Sequence, residues 1–303
     1  MALGVDGVRI GTWTSPGEVS GCTVILPPEG SLAAVAVRGA SPGTREAVAL
    51  GPHGKLTVCH GVVLSGSSAY GLATADGVVR WLEEQGIGYA VGPGIVPIVG
   101  AAIILDLGVM APAERPGADA GWQAAAAAAD ADPPEGRVGA GTGAHVAKVG
   151  GLEHGQPGGQ GIAVRTNRDL VVGALVVNNA VGEIIDDDGS ILVGTSAPPD
   201  APRFPLDPEA LLAASTKEWG PTQNTVIGAI VTNARLGKSQ AHRVADLGHG
   251  GIVRSVRPAH TNYDGDALFC IATGQVEADI DTVVHLAVDA VAAAARRGPL
   301  AAS

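Results

Sequence analysis

The stretch PTQNTVIGAIVTNARLG, residues 221–237, decides the fold, because an apolar run of eight residues, TVIGAIVT, begins directly at Thr225. The run is rich in Val and Ile and is apolar on both faces, which predicts a strand covered on two sides. The Pro, Gln and Asn before it predict a turn. Thr225 is therefore either only the first residue of a buried strand or also a nucleophile that a chain break before it would expose.

Similar apolar runs recur throughout the chain and alternate with helical segments. We predict helices at 68–85, 118–130, 239–247 and about 279–297, and we expect Gly298 and Pro299 to end the last one. Residues 186–223 are rich in proline and acidic residues and predict a surface excursion with a short helix at 208–215. The strands are predicted at 22–27, 32–37, 56–66, 96–105, 144–150, 161–166, 170–182, 225–232 and 267–274.

The composition limits the classes of partner. The chain has 303 residues, of which 46% are hydrophobic, enough for a sizeable core. Aromatic residues make up only 3% and there are 45 glycines, which favours flat layers that approach closely. The net charge of −11 argues against nucleic acid as a partner, because the phosphate backbone requires clustered Lys and Arg.

The cysteines and the N-terminus bear on the compartment. Cys22, Cys59 and Cys270 are widely spaced and odd in number, so they indicate neither a disulfide framework nor a zinc ribbon. Residues 1–13 lack the pattern of a signal peptide. Residues 87–105 carry no charge, but repeated Gly and Pro favour a buried strand over a membrane helix. We expect a cytoplasmic protein that binds no membrane.

A cut before Thr225 would place two reactive groups on one residue. The threonine would carry its hydroxyl nucleophile and a free α-amino group, whose ordinary pKa is roughly 7.7–8.0. A fraction of that amine is neutral near neutral pH and can act as a base, which a lysine with a pKa of roughly 10.4 cannot do without strong desolvation. Such a site needs no metal or organic cofactor.

Polar residues that interrupt apolar runs are the candidate partners of this threonine. Lys148 can stabilise negative charge, and the side-chain amide of Asn178 suits an oxyanion hole. Asp264 and Asp266 flank Gly265 where the 267–274 strand begins, and their carboxylates can hold an ammonium or a hydroxyl group. Each residue also has an ordinary structural interpretation: a strand lysine often reaches to water, and D-G-D is commonly a turn.

The order and spacing of these motifs resemble those of a known family along most of the chain. They are the self-processing L-aminopeptidase/D-esterase enzymes, which include β-aminopeptidases and 6-aminohexanoate-oligomer (nylon-oligomer) endohydrolases. The resemblance is carried by GTGAHVAKVGGLEHGQPGGQGIAV, VVGALVVNNAVGEI, NTVIGAIVTNARLGKSQAHRVADLGHGG and TNYDGDALFCIATG.

The resemblance implies the fold, the assembly and the site. It implies an α+β fold, a four-layer αββα sandwich like that of N-terminal-nucleophile hydrolases, in one domain that assembles as a homotetramer. It also implies a precursor that cuts itself between Asn224 and Thr225 into chains 1–224 and 225–303. By position, Thr225 is the nucleophile and its partners are Lys148, Asn178, Asp264 and Asp266.

The resemblance leaves the substrate open. A threonine nucleophile followed by a D-x-D pair is similar to the nylon-oligomer hydrolases, whereas typical aminopeptidases of the family use serine. We therefore expect a hydrolase of short linear amides such as 6-aminohexanoate oligomers. The alternatives are an aminopeptidase or β-aminopeptidase, an acyltransferase like the ornithine acetyltransferases, and a non-catalytic binding protein whose chain stays uncut.

Overall fold

The computed structural model describes residues 1–106, 111–200 and 224–303. In chain order the strands of this part are β1 (Arg9–Thr14), β2 (Gly21–Leu26), β3 (Leu32–Val37), β4 (Thr44–Arg45), β5 (Gly61–Ser65), β6 (Tyr89–Val91), β7 (Gly94–Val96), β8 (Val99–Ile103), β9 (His145–Val146), β10 (Gln156–Pro157), β11 (Gly159–Asn167), β12 (Leu170–Asn179), β13 (Glu183–Ile185), β14 (Ile191–Val193), β15 (Thr225–Ala234), β16 (Val256–Arg257) and β17 (Ala267–Val276). The α-helices are α1 (Thr74–Glu84), α2 (Ala118–Ala126), α3 (Lys238–Ser255) and α4 (Ile280–Ala302).

Most of these strands form two five-stranded mixed sheets. Sheet I has the order β1–β2–β5–β8–β4 and sheet II the order β11–β12–β15–β17–β3. Each sheet contains one parallel pair, β5 with β8 and β15 with β17, and its other neighbours are antiparallel. Parallel neighbours need a crossover connection, and α1 and α3 are the helices in those two connections.

Three apolar layers show how the sheets and helices stack. One layer lies between α1, α2 and sheet I, and it includes Trp81 and Val63. A second lies between the two sheets and includes Phe269. The third lies between sheet II and helices α3 and α4 and includes Ile230 and Val291. The predicted four-layer αββα sandwich is therefore confirmed.

Strand β15 is the central strand of sheet II, and all ten of its residues are buried. Ile227 lies in the layer between the sheets, whereas Val226 and Ile230 lie in the layer against the helices. This alternation follows from the two-residue period of a strand. The double-sided apolar pattern at 225–232 thus predicted the burial of this strand correctly.

Small residues let the layers approach closely, as the composition predicts. A Cβ atom on Gly161 of β11 would lie 2.1 Å from the carbonyl oxygen of Ala294 on α4. A Cβ atom on Gly77 of α1 would lie 1.7 Å from the carbonyl oxygen of Ala118 on α2. At both crossings only glycine fits, because any side chain would overlap the backbone of the neighbouring element.

Two helices are longer than predicted. Helix α3 continues to Ser255 rather than ending near residue 247. Its Gly251 packs against α4, where a Cβ would lie 2.5 Å from Val288 O, so this glycine serves contact between helices. Helix α4 likewise continues through Gly298 and Pro299 to Ala302.

Other predictions hold in part. The segment 144–150 is strand only at β9, because Ala147 adopts a left-handed conformation (φ 56°) that turns the chain. Within 87–105, β6 and β7 form an exposed hairpin and β8 is buried. The predicted helix at 208–215 lies outside the described residues. Among the described residues, no helix has both the length and the apolar character that a membrane span requires.

Candidate active site

Thr225 lies at the point where sheet II meets the acidic loop that precedes β17. It is the first residue of β15, is buried, and pairs with Asn179 of β12 in the antiparallel ladder. Its hydroxyl donates a hydrogen bond to the carbonyl oxygen of Asn224. The oxygen of the hydroxyl therefore lies against the carbonyl group of the peptide bond that joins residues 224 and 225.

The segment after β3 holds the acidic loop next to this hydroxyl. The backbone nitrogens of Arg38 and Ser41 each donate to loop carbonyls, at 2.9 Å to Asp266 O and 2.9 Å to Asp264 O respectively. Asn224 and Asp264 form an isolated parallel β-bridge. A Cβ atom on the intervening loop glycine at 265 would lie only 3.1 Å from the Thr225 hydroxyl oxygen. The loop backbone therefore lies close to the candidate nucleophile.

The carboxylate of Asp266 is fully engaged. Its Oδ1 accepts a hydrogen bond from the backbone nitrogen of Val226 at 2.6 Å, and its Oδ2 lies 2.6 Å from Nδ1 of His260. Because residue 226 directly follows Thr225, the first of these bonds fixes the backbone at the start of β15. Asp266 therefore acts on the position of Thr225 through the backbone.

The carboxyl group of Asp264 is only half engaged. Its Oδ2 accepts from the backbone nitrogen of Thr261 at 2.6 Å, whereas its buried Oδ1 has no hydrogen-bond partner among the described residues. Burial and the nearby charge of Asp266 raise the pKa of Asp264 to about 6. A buried carboxyl with an open oxygen and a pKa near neutrality is suited to accept and return a proton.

Lys148 is the buried cation of the site. Burial lowers its pKa to about 7, and the charge of Asp264 opposes this shift. Its Nζ donates to the backbone and side-chain oxygens of Asn179, at 2.9 and 3.2 Å. Since Asn179 is the ladder partner of Thr225, the structure brings Lys148, Asp264 and Thr225 to one region, as the sequence predicts.

Asn178, by contrast, does not reach Thr225. Its ladder partner is Val226, so its side chain lies on the helix-facing side of sheet II. There its Nδ2 donates to the carbonyl oxygen of Ala295 on α4 at 2.8 Å. Pro299 sits four residues after Ala295 and has no N–H to donate, so this carbonyl lacks its helical partner. The side-chain amide of Asn178 donates the hydrogen bond that the backbone of residue 299 cannot supply. Its predicted role in an oxyanion hole does not fit this geometry.

Replacement of Asn178 by alanine is therefore expected to reduce stability. The loss of its bond to the Ala295 carbonyl leaves a buried acceptor unsatisfied, which costs about 1–3 kcal/mol in the free energy of unfolding. Pro299→Ala restores an N–H for that carbonyl. In the Pro299→Ala background we therefore expect Asn178→Ala to lower the free energy of unfolding by less. Denaturant unfolding of the unaltered chain, the two single variants and the double variant measures the difference. Equal costs in both backgrounds would refute the proline explanation.

Asn179 is the amide on the face of sheet II that carries Thr225, although no sequence pattern singled it out. Its Oδ1 accepts from the backbone nitrogen of His145 at 2.8 Å, and its Nδ2 donates to the carbonyl oxygen of Leu105 at 2.9 Å. It thus spans the gap between the sheets next to Lys148. The adjacent asparagines at 178 and 179 indicated that an amide lies near the site. Only the register of β12 with β15 determines which of the two shares a face with Thr225.

His260 also escaped the sequence analysis, although it stands only four residues before Asp264. Its bond to Asp266 makes it part of the site. Burial opposes its protonation, but the hydrogen bond and charge of Asp266 outweigh that effect and raise its pKa. The described residues hold no cluster of three or more His, Cys, Asp or Glu side chains that could bind a metal ion.

Comparison with known proteins extends over nearly the whole chain. The model of peptidase family S58 matches residues 3–302. An uncharacterized aminopeptidase of Mycobacterium tuberculosis is 40% identical over 286 residues, which cover 90% of this chain and 81% of the relative. The 6-aminohexanoate-oligomer endohydrolase of an Agromyces species is 33% identical over 273 residues, covering 89% of this chain and 74% of the relative.

Solved structures support the fold. The L-aminopeptidase D-Ala-esterase/amidase of Ochrobactrum anthropi, described as a variant of the Ntn hydrolase fold, superposes with a TM-score of 0.72 at 22% identity. A β-aminopeptidase of a Burkholderia species superposes with a TM-score of 0.71 at 22% identity. Each match covers 99% of this chain and 86% of the solved chain.

Proposed function

Because the chain belongs to peptidase family S58, we propose that it is an amide hydrolase that activates itself by cutting the bond between Asn224 and Thr225. The observation that carries this proposal is the hydrogen bond from the Thr225 hydroxyl to the Asn224 carbonyl. The nucleophile is already in contact with the group it would attack, in a buried site that contains an acid, a cation and an amide. The products would be chains 1–224 and 225–303.

The first reaction is the self-cleavage. The Thr225 oxygen attacks the carbonyl carbon of Asn224, and its hydroxyl proton, which points to the Asn224 oxygen in this structure, is taken by Asp264, the neighbouring carboxyl with an oxygen unpartnered among the described residues. The bond from that carbon to the Thr225 nitrogen then breaks, the proton passes to the nitrogen, and residue 224 is left as an ester on the threonine oxygen. Water hydrolyses the ester, which gives a carboxylate at residue 224 and a free α-amine on Thr225.

The second reaction repeats the chemistry on a substrate. The Thr225 oxygen attacks the substrate amide, and the new α-amine takes the hydroxyl proton and delivers it to the departing amine. The acyl group then stands on the threonine as an ester until water releases it. Asn179 lies on the face of sheet II that carries Thr225, and Lys148 Nζ contacts it, so this cation and the second N–H of the Asn179 amide are the groups that would stabilise the oxyanion.

We propose short linear amides with a free amine near the scissile bond as the substrates. Linear 6-aminohexanoate oligomers are the first candidate, and β-amino-acid amides or ordinary N-terminal amides are the alternatives. The carboxyl oxygen of Asp264 that has no partner among the described residues and the net charge of −11 favour substrates that carry a positive charge. The relatives named as aminopeptidases and as oligomer hydrolases both fit this class.

A hydrolysis panel tests the proposal. Purified, cut protein is offered 6-aminohexanoate oligomers, β-amino-acid amides and aminopeptidase substrates, each also with its amine acetylated. We expect turnover only when the amine is free. The same acyl donors with an added amine acceptor separate hydrolysis from acyl transfer. Predominant transfer, or no turnover of any amide by the cut protein, would contradict the proposed activity.

Replacement of Asn179 by alanine is expected to slow turnover strongly. Loss of one oxyanion donor lowers kcat by about 10²- to 10³-fold in comparable sites. Asn178→Ala is the matched control, because it removes the same group from the other face of the same strand. We expect that control to lose stability while its kcat stays near that of the unaltered enzyme. The reverse ranking of the two variants in kcat would show that Asn179 is not the oxyanion residue.

A further inference from the structure

His260 belongs to a chain of contacts that leads from the start of β15 to helix α3. Val226 N donates to one oxygen of Asp266, whose other oxygen lies 2.6 Å from His260 Nδ1. The His260 ring makes an edge-on contact with the ring of His249 on α3, with ring centroids 4.9 Å apart. His249 Nε2 in turn lies 3.2 Å from the carbonyl oxygen of Ala36 on β3.

The partners at the two ends of this chain define which nitrogens carry protons. A carbonyl oxygen only accepts, so His249 Nε2 must be the protonated nitrogen of that ring. A carboxylate also accepts, so His260 Nδ1 is protonated as well. The other nitrogen of each ring, Nδ1 of His249 and Nε2 of His260, is buried without a hydrogen-bond partner among the described residues.

A second proton on His260 would place an N–H on its Nε2, in the ring that contacts His249. Burial lowers the pKa of His249 to about 4, so its Nδ1 is an acceptor at neutral pH. A protonated His260 then offers its Nε2–H as a donor. Burial disfavours that cation, but Asp266 more than compensates and raises the pKa of His260. The other groups that act on the two rings are the backbone of His249, which favours the protonated form of His260, then Asp264, and Arg38 directly after β3, which pairs with Asp246.

The backbone at His260 is consistent with a side chain that must point in one direction. Its φ of 56° lies in the left-handed region, which residues other than glycine rarely adopt without compensation. The conformation aims the ring into the gap between Asp266 and α3.

We propose that His260 is a positioning residue that, as an imidazolium, bridges Asp266 and His249 and thereby fixes the carboxylate that holds the backbone next to Thr225. This inference rests on the proposed function, because its consequence is the placement of the nucleophile. His260 touches no reacting atom in this scheme and acts only through Asp266. Its loss misplaces the threonine without removing any group that takes part in the reaction.

The kinetics of substituted enzymes test whether His260 positions the nucleophile. In His260→Ala we expect kcat to fall on the order of 10²-fold with little change in KM, since small displacements of reacting groups have effects of this size. His260→Asn keeps an N–H donor near the Nδ1 position and tolerates a positive φ, but it carries no charge and cannot bridge to His249, so it should recover only part of the lost kcat. His53→Ala, which removes an exposed histidine, is the control and should not change kcat.

Histidine NMR titration tests the protonation state. We expect the His260 resonances of the unaltered protein to titrate above the ordinary 6.5, and to shift to a lower pH in His249→Phe. A His260 that titrates at 6.5 or below, or a His260→Ala enzyme with unchanged kcat, overturns the inference. If His260→Ala does not fold, a partial loss of kcat in His260→Asn and the lower titration of His260 in His249→Phe test the inference, and unchanged values in both overturn it.

The two proposals fail in different ways. An uncut and inactive protein refutes the proposed function, while the NMR titration still decides whether His260 bridges its neighbours. An active, cut enzyme that is indifferent to His260 substitution refutes only the positioning role.

Discussion

Replacement of Thr225 by alanine is expected to leave one uncut chain of 303 residues that hydrolyses no amide. The methyl side chain has no oxygen to attack the carbonyl of Asn224, so neither the ester nor the free α-amine can form. Intact mass measurement and a hydrolysis assay on the same preparation give the result. The unaltered protein should yield two fragments instead, with threonine as the first residue of the shorter one.

Two other substitutions make this prediction specific. Thr225→Ser keeps a hydroxyl and should still be cut at the same bond. Thr232→Ala removes a second buried threonine from β15, whose hydroxyl donates to the carbonyl oxygen of Val171, and should be cut normally although it is less stable. Efficient cutting of Thr225→Ala between residues 224 and 225 would rule out the mechanism.

Asp264→Asn is expected to make the protein more stable and much less reactive. An amide cannot take the proton of the Thr225 hydroxyl, so we expect self-cleavage to slow by about 10²- to 10⁴-fold. The fraction of uncut chain after in vitro translation, followed over time on gels, measures the rate. In the unaltered chain this rate should rise with pH through about 6, where Asp264 ionises, and the variant should lack that rise.

The stability of the variant follows from the same raised pKa. In the unfolded chain Asp264 ionises at its ordinary 3.8, whereas burial and Asp266 raise the folded pKa to about 6. Between these values the folded state binds more protons, so the contribution of Asp264 to the free energy of unfolding falls as pH rises. Asparagine does not titrate, so Asp264→Asn should be more stable than the unaltered chain at neutral pH.

Asp266→Asn is expected to change stability in the opposite direction from Asp264→Asn. The carboxylate of Asp266 contacts both Val226 N and His260 Nδ1, so its loss should lower stability by about 1–3 kcal/mol. If Asp264→Asn lost stability like Asp266→Asn, or was cut at the normal rate, the assignment of Asp264 as the proton acceptor would be wrong. Chemical denaturation of uncut proteins in the Thr225→Ala background makes the three chains comparable.

The layered fold was predictable because its signals are local. Double-sided apolar runs such as 225–232 indicate strands buried on both faces, and the few aromatic residues with many glycines indicate layers in close contact. The predicted ends of α3 and α4 were too early because contacts with other elements let both helices continue through glycine or proline. Gly251 and Pro299 are stop signals for an isolated helix, but here a neighbouring helix and the Asn178 side chain satisfy their requirements.

The sequence by itself determined the layered arrangement, the buried strand that opens at Thr225, and the presence of a lysine and two carboxylates in the segments that meet it. Only the tertiary structure decided which of two adjacent asparagines shares a face with Thr225, which carboxylate keeps an open oxygen, and that His260 supports the other. The reason is physical: side chains alternate along a strand, so a shift of one residue in the pairing of β12 with β15 exchanges Asn178 and Asn179. That pairing joins segments far apart in the chain, and no local pattern specifies it.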